Sequence, residues 1–245
     1  MGAGFSMIIM LTHFFSKKNT LRFVRIHNLP KKFVKISVSG FSSFIIDVAM
    51  GVLTVLFNRQ IMKYLDSNAL AVYGVIVAVS TLVQCCAYGV GQAAQPIISQ
   101  NYGAKKYDRI RKVLKYSAVT SAILGAIWAV MFMALPQTFV KLFMTPTGQV
   151  LSAAPHIVRI YALSFFLLPF NVYSTYHFQA IMKPGVSMAV SGCRGILISG
   201  AFILALPAVF GGDSVWWAMP ITETLVAAYV IFSLARENKK EKIPM

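Results

Sequence analysis

The stretch QCCAYGVGQAAQPIISQNYGAKKYDRIRK, residues 84–112, decides how this chain is organised. An uncharged run with Gly89, Gly91 and Pro96 gives way within a few residues to Lys105, Lys106, Arg109, Arg111 and Lys112. Upstream, residues 69–99 carry no charge at all. As a straight helix that segment would be about 46 Å long, against a hydrocarbon core of about 30 Å. It therefore crosses a bilayer with length to spare, and its glycine and proline predict a bend near Gly91 or Pro96. Ser80, Gln84, Tyr88, Gly91 or Gln92, Gln95 and Ser99 recur on one helical face. That face is too polar for lipid, so it is expected to look onto other helices or a wet cavity.

Composition points the same way. Of 245 residues, 57% are apolar and only 12% charged, and the mean hydropathy is +0.68. Such values exclude a soluble domain and a disordered chain, and indicate a polytopic membrane protein. A formal charge of +16 raises nucleic acid as a partner. The basic residues, however, sit in short stretches between apolar spans, which is membrane topology and not a nucleic-acid surface. Cys85, Cys86 and Cys193 lie inside apolar spans without CxxC or Cys/His spacing, so neither a disulfide nor a metal site is expected.

Six full crossings follow from the apolar runs: 36–57, 69–99, 116–140, 160–182, 184–212 and 214–235. Residues 2–15 are uncharged but too short to span. They lack the basic leader of a signal peptide, so they read as the truncated end of a further helix. The expected fold is all-α, a six-transmembrane-helix bundle preceded by that partial helix. Its divisions are 1–15 (partial helix), 16–35 (basic connector), 36–235 (six-helix lobe) and 236–245 (basic tail). Seven basic residues in 16–35, six in 100–115, Lys183 and four in the tail fall on one side. Arg59, Lys63, Lys141 and Arg159 fall on the other, and the positive-inside rule makes the richer side, with the C-terminus, cytoplasmic. The expected location is a plasma or inner membrane.

Three charged residues lie deep within spans: Asp47, Arg194 and Glu223. Each is within about one helical turn of the midplane. A lone charge there costs roughly 2.5–3.5 kcal/mol on insertion scales, so pairing, water or altered protonation has to offset it. Asp47 shares a face with Gly40, Ser43, Gly51, Thr54 and Asn58, a stripe that permits close helix approach. It reads either as a coupling-ion acid, binding H+ or Na+, or as a structural partner for Arg194 or nearby hydroxyls. Arg194 and Glu223, of opposite sign on consecutive helices, read first as an internal ion pair and otherwise as part of a polar network. Gln84, Gln92, Gln95 and Asn171 either line a substrate cavity or bond between helices. Tyr88 and Tyr173, with Tyr176, Phe178, Met50 and Met62, either offer an adaptable apolar surface or pack as ordinary span residues. Trp216 and Trp217 are expected to anchor an interface, and His177 reads as interfacial with no role. No soluble-enzyme motif, ATP-binding motif or cofactor motif is present, so no enzyme activity is expected and pumping would draw on an ion gradient.

The run GVGQAAQPIISQNYGAKKYDRIRK resembles the second-helix motif of the multidrug and toxic compound extrusion (MATE) transporters. SGFSSFIIDVAMGVLTVLFNRQI resembles the first helix of that family's C-terminal lobe, and FVKLFMTPTGQVLSAAPHIVRIYALSFFLLPFNVYSTYHFQAI the hairpin that follows. WWAMPITETL is similar to the closing helix, with an acid three residues after proline. The resemblance implies one MATE lobe, the C-terminal one, of a fold built from two six-helix lobes related by a pseudo-twofold axis. It further implies exchange of cationic or amphipathic compounds for protons or sodium, through a cavity between lobes. Related transporters place a Glu on the helix where this chain has Asp47. The partners implied are a bilayer, small cationic or amphipathic compounds, and a second six-helix lobe from a separate chain or a homodimer. The leading expectation is thus an antiporter component. The alternative is a truncated or structural membrane fragment without transport of its own that assembles with another lobe. A flippase for lipid-linked oligosaccharide would need a strongly cationic central cavity, whereas Arg194 is the one deep cation here.

Overall fold

The computed structural model describes residues 51–240, with side chains to Glu237, and before residue 51 only Gly4, Met7, Leu11, Thr12, Phe33 and Val48. The chain divides into two compact units, Met1–Phe44 and Ile45–Met245. In the first, the five described positions are helical and exposed. The expectations for residues 1–35 and for most of the span 36–57, including Asp47, lie outside the described residues, as does the end of the tail. In the second unit, a helix described over 51–64 (α1) leads to α2, Ser67–Gly103. Next come α3, Tyr107–Ala134, the short α4, Pro136–Phe143, and α5, Gly148–Ala162. A 3-10 turn joins α5 to α6, Leu168–Ala180. Then α7, Pro184–Gly192, passes through a π turn, Cys193–Leu197, into α8, Ile198–Phe210. A second 3-10 turn, Gly212–Trp217, opens α9, Ala218–Lys240.

Among the described residues five helical stretches are long and apolar enough to cross a membrane: Ser67–Gly103, Tyr107–Ala134, Gly148–Ala180, Pro184–Phe210 and Gly212–Glu237. The helical residues 51–57 are the described end of the remaining predicted span. Two boundaries differ from expectation. The sequence places a connector at 100–115, yet α2 runs to Gly103 and α3 starts at Tyr107, so most of the basic residues ride on the first turns of α3. Polar side chains stop a hydrocarbon crossing without stopping a helix, because every backbone bond still closes within the segment. The span predicted at 116–140 ends instead at Ala134, because Pro136 has no N–H to continue the ladder and restarts the chain as α4. Through Gly91 and Pro96, by contrast, α2 is assigned as one continuous helix.

α2 is the hub, packing most extensively against α6, then α3 and α5. Its sequence is apolar nearly all round, but its buried side chains trace one stripe: Val72, Ile76, Val79, Val83, Ala87, Gly91, Ala94 and Ile98. The lower part is large and meets Phe57 and Ile61 of α1 and Val158 and Ala162 of α5. Farther up the residues shrink, letting α6 come close enough that a Cβ on Gly91 would sit 2.3 Å from the Tyr176 ring. α3 shows the inversion that a lipid environment produces. Through its middle the buried face is Ser117, Ser121, Gly125 and Ala129, with Ile110 and Phe132 buried nearer its ends, while Ile123, Ile127 and Val130 point outward and are more than half exposed. Lipid is as apolar as leucine, so the large residues gain little by turning in, and small ones bring helix backbones together. Trp216 is corrected from an interfacial anchor to a core residue, fully buried beside Tyr73; Trp217 is 44% exposed. His177 is likewise buried, against Tyr173 and Phe178.

At the start of α2, Asp66 caps the helix: its carboxylate accepts the Ala69 N–H at 2.8 Å and the Asn68 Nδ2 at 3.1 Å. The backbone bond to Ala69 holds its pKa below the ordinary carboxylate value. A depressed carboxyl contributes stability above the unfolded value and loses it as pH falls through the folded one. Hydrogen exchange at the first amides of α2 should therefore speed up as pH drops below roughly 4, after correction for intrinsic rates. An Asp66→Asn chain should show no such step. A second expectation concerns Gly125, where a Cβ would lie 2.7 Å from the Phe165 carbonyl and 2.8 Å from that of Phe166. Backbone cannot swing aside as a side chain can, so Gly125→Ala should destabilise by about 1–3 kcal/mol, read as a lower unfolding midpoint in detergent. Gly89→Ala, with nothing within 4 Å of the new methyl, should hold or slightly raise that midpoint, since alanine is the better helix former.

Candidate functional site

Glu223 of α9 is fully buried. Its Oε1 accepts the Arg194 Nε at 2.6 Å, and its Oε2 accepts the Asn171 Nδ2 at 2.6 Å. The same amide reaches the Glu223 backbone carbonyl at 2.9 Å. Three spans thus meet on one carboxylate: α6, the π turn before α8, and α9. Local sequence prepares each partner. Asn171 lies one turn into α6, and its own carbonyl is bonded by Ser174 Oγ at 2.7 Å. Arg194 sits in the widened π turn, where Ser199 Oγ bonds the Arg194 carbonyl at 2.8 Å from five residues on. Thr222 and Thr224 flank the acid and turn their hydroxyls back onto Ala218 and Pro220 carbonyls at 2.7 and 2.8 Å. The two threonines satisfy themselves locally and leave the carboxylate to its interhelical partners. Each charge is compensated where water is scarce, the condition under which a buried pair persists.

Arg194 is 14% exposed, and it lines a cavity of about 80 Å³. Thr54 of α1, Ser80 and Gln84 of α2, and Tyr73 and Tyr161 contribute to the walls. Phe57 stacks on Tyr73 with ring centroids 4.8 Å apart and closes the apolar side. The space holds several waters, by the roughly 10–15 Å³ that each needs, and no drug-sized molecule. Above it, the polar face of α2 continues up the lobe surface. Tyr88 donates to Gln84 Oε1 at 3.3 Å and sets its ring 6.2 Å from that of Tyr176, edge to face. Tyr88 and Gln92 are exposed and Gln95 half-buried, so the described residues of the lobe cover this stripe only in part.

The residues singled out from sequence therefore do not all gather at one place. Arg194, Glu223 and Asn171 are brought together. Gln84 lines the cavity, while Tyr88, Gln92 and Gln95 follow it along the open face. Asn171 and Tyr173, candidates for a cavity wall in the sequence, are instead both fully buried. An amide in an apolar span turns to the nearest carboxylate, and Tyr173 packs into the second core cluster with Phe178 and Val226. Asp47 is outside the described residues. Sequence reasoning did not single out Tyr73 and Tyr161; the signal was a phenol where phenylalanine would fill a span equally well, since a buried hydroxyl needs a partner. Among the described residues no cluster of three or more His, Cys, Asp or Glu could hold a metal ion.

The profile of the MatE family matches residues 43–203. Over 83 residues the chain is 29% identical to the probable multidrug resistance protein YoeA of Bacillus subtilis (strain 168), covering 34% of this chain and 18% of that protein. It is similar in fold to the MATE multidrug transporter DinF-BH: TM-score 0.77, 23% identity, 96% of this chain and 53% of that one. A MOP superfamily transporter from Pyrococcus furiosus Vc1 (DSM3638) superposes with TM-score 0.78 and 15% identity, over 91% of this chain and 49% of that one. An outward-facing multidrug resistance MATE family transporter gives TM-score 0.76 and 16% identity over 84% and 46%. The chain spans about half the length of these structures, and identities this low speak to fold alone.

Breaking the ion pair from one side should be costly and breaking it from both sides mild. Glu223→Gln leaves a buried guanidinium uncompensated and should destabilise by about 3–5 kcal/mol. Arg194→Met with Glu223→Leu should recover most of that loss, because apolar side chains need no partner in this environment. Unfolding midpoints of the single variants and the double variant in one detergent measure the coupling.

Proposed function

The chain belongs to the MATE family, whose profile covers residues 43–203, and from that premise we propose that it is one lobe, the C-terminal one, of an ion-driven exporter of cationic or amphipathic compounds. The observation that carries this reading is the polar face of α2, on which Tyr88, Gln92 and Ser99 stand exposed and Gln84 and Gln95 half-buried among the described residues. Gln84, Tyr88, Gln92 and Gln95 offer amide and phenol groups, and the paired rings of Tyr88 and Tyr176 offer π faces. Neutral hydrogen-bonding groups with aromatic rings suit a ligand that is partly apolar and carries a positive charge. A second lobe would cover this face and complete the cavity. The basic end of the bundle is assigned to the cytoplasm by the positive-inside rule.

Coupling falls to Asp47, an acid in a predicted span with no basic residue among its sequence neighbours 36–58. In its charged form it would attract a proton, a sodium ion or the cationic substrate, and arrival of one would release another. Glu223 is the weaker candidate because Arg194 already neutralises it at 2.6 Å. Two carboxylates would then divide the work, one holding helices together and the other exchanging ions.

A second reading shares the same uncovered face: the chain is an assembly partner with no transport of its own. Proteoliposomes separate the two. The chain reconstituted with a second MATE lobe, under an imposed pH or sodium gradient, should move a fluorescent cation, and Asp47→Asn should reduce that flux at least tenfold. Undiminished flux in the Asp47→Asn variant would remove the acid from coupling. Absence of flux in every combination would leave only the assembly role.

A further inference from the structure

At the basic end of the lobe a groove of about 450 Å³ opens between α3, α6 and α9. It shares no lining residue with the Arg194 cavity. Its rim is Arg111 and Lys115, on the second and third turns of α3, and its walls are Leu114, Phe170, Ile231 and Leu234. Leu114, Phe170 and Leu234 are half-buried and rest on the second core cluster, so the floor is firm. Ile231 is 59% exposed, an apolar wall turned outward. Phe170 lies ten residues before the end of α6 at Ala180, about 15 Å along the helix, which is the depth of one leaflet's hydrocarbon. The groove is therefore graded along its length, cationic at the surface and hydrocarbon within.

From this grading we propose that the groove binds one anionic phospholipid of the adjoining leaflet, its phosphate between Arg111 and Lys115 and an acyl chain along Phe170, Ile231 and Leu234. Charge complementarity identifies the occupant. Asp108 is the acid paired with the rim, 3.4 Å from Arg111 Nη1 and itself 93% exposed, so it neutralises little. Lys112 and Arg109 stand beside the rim and raise the local potential further. The long stems of Arg111 and Lys115 can lie on the apolar wall while their heads reach phosphate depth. A free phosphate would meet the cations and gain nothing from the wall. A zwitterionic lipid would fill the wall and gain little from the cations. The anionic lipid alone uses both.

Native mass spectrometry of the full chain in detergent, titrated with phosphatidylglycerol or with phosphatidylcholine of identical acyl chains, tests this. One tightly held phosphatidylglycerol is expected, preferred about 25-fold, from about fivefold for each of two basic residues near the surface. Arg111→Gln with Lys115→Gln should abolish the preference. Lys105→Gln with Lys106→Gln, an equal loss of charge outside the groove, should preserve it. Ala118→Trp, which fills the groove and keeps every charge, should release the lipid. Excess inorganic phosphate should leave the lipid bound. Equal loss in both glutamine pairs would mean a diffuse field and overturn the site, as would retention in Ala118→Trp, displacement by inorganic phosphate, or equal binding of phosphatidylcholine.

Discussion

A carboxylate in the middle of an apolar bundle is tolerated on narrow terms, and Glu223 meets them. One oxygen takes a guanidinium and the other an amide, both at 2.6 Å, so two strong bonds and a counter-charge replace the water it would otherwise hold. Because those partners come from different spans, the acid also sets how α6, α8 and α9 stand relative to one another. An apolar contact can slide by a residue at small cost where lipid and leucine are equivalent. A buried ion pair cannot, since misregister leaves two charges unsatisfied. The π turn around Arg194 belongs to the same constraint: it adds a residue to one turn of the helix where the guanidinium has to reach α9.

Polar residues in the spans then sort by what is available to them. Asn171 and the flanking threonines bond inside the lobe. The α2 face from Gln84 upward is different: Tyr88 reaches back to Gln84 on its own helix, Gln92 is exposed and Gln95 is half-buried. Water would satisfy the groups that stand open, and so would a facing lobe or a ligand. Lipid would not.

The two ends of the bundle differ in character. The basic end carries its charge on helical turns of α3, continuous with the apolar wall below, so cation and hydrocarbon lie on one surface. Had those residues formed a loop, charge and wall would have been separated. The opposite end is built from small elements instead: the Pro136–Phe143 helix and the Gly212–Trp217 turn. The open polar face and the basic anchoring turns thus occupy different parts of the bundle.

Much of this was legible in the residues. Hydropathy dictated an all-helical membrane bundle, because continuous uncharged runs of twenty or more residues are the length of a spanning helix, twice that of a spanning strand, and a helix closes its own backbone bonds in hydrocarbon. The lack of charge over 69–99 located the central helix, and the polar period from Ser80 to Ser99 marked its open face. Opposite charges at similar depth made Arg194 and Glu223 candidates for each other. Partnership among three or more groups was not legible. Asn171 reads equally well as cavity lining or as network until α9 is placed beside it, and Tyr173 reads as surface or core until α3 and α6 close. Hydropathy reports each residue's own cost in oil, which is a property of one segment. Whether that cost is met by a neighbour depends on which spans touch and at what height, and only packing in three dimensions decides that.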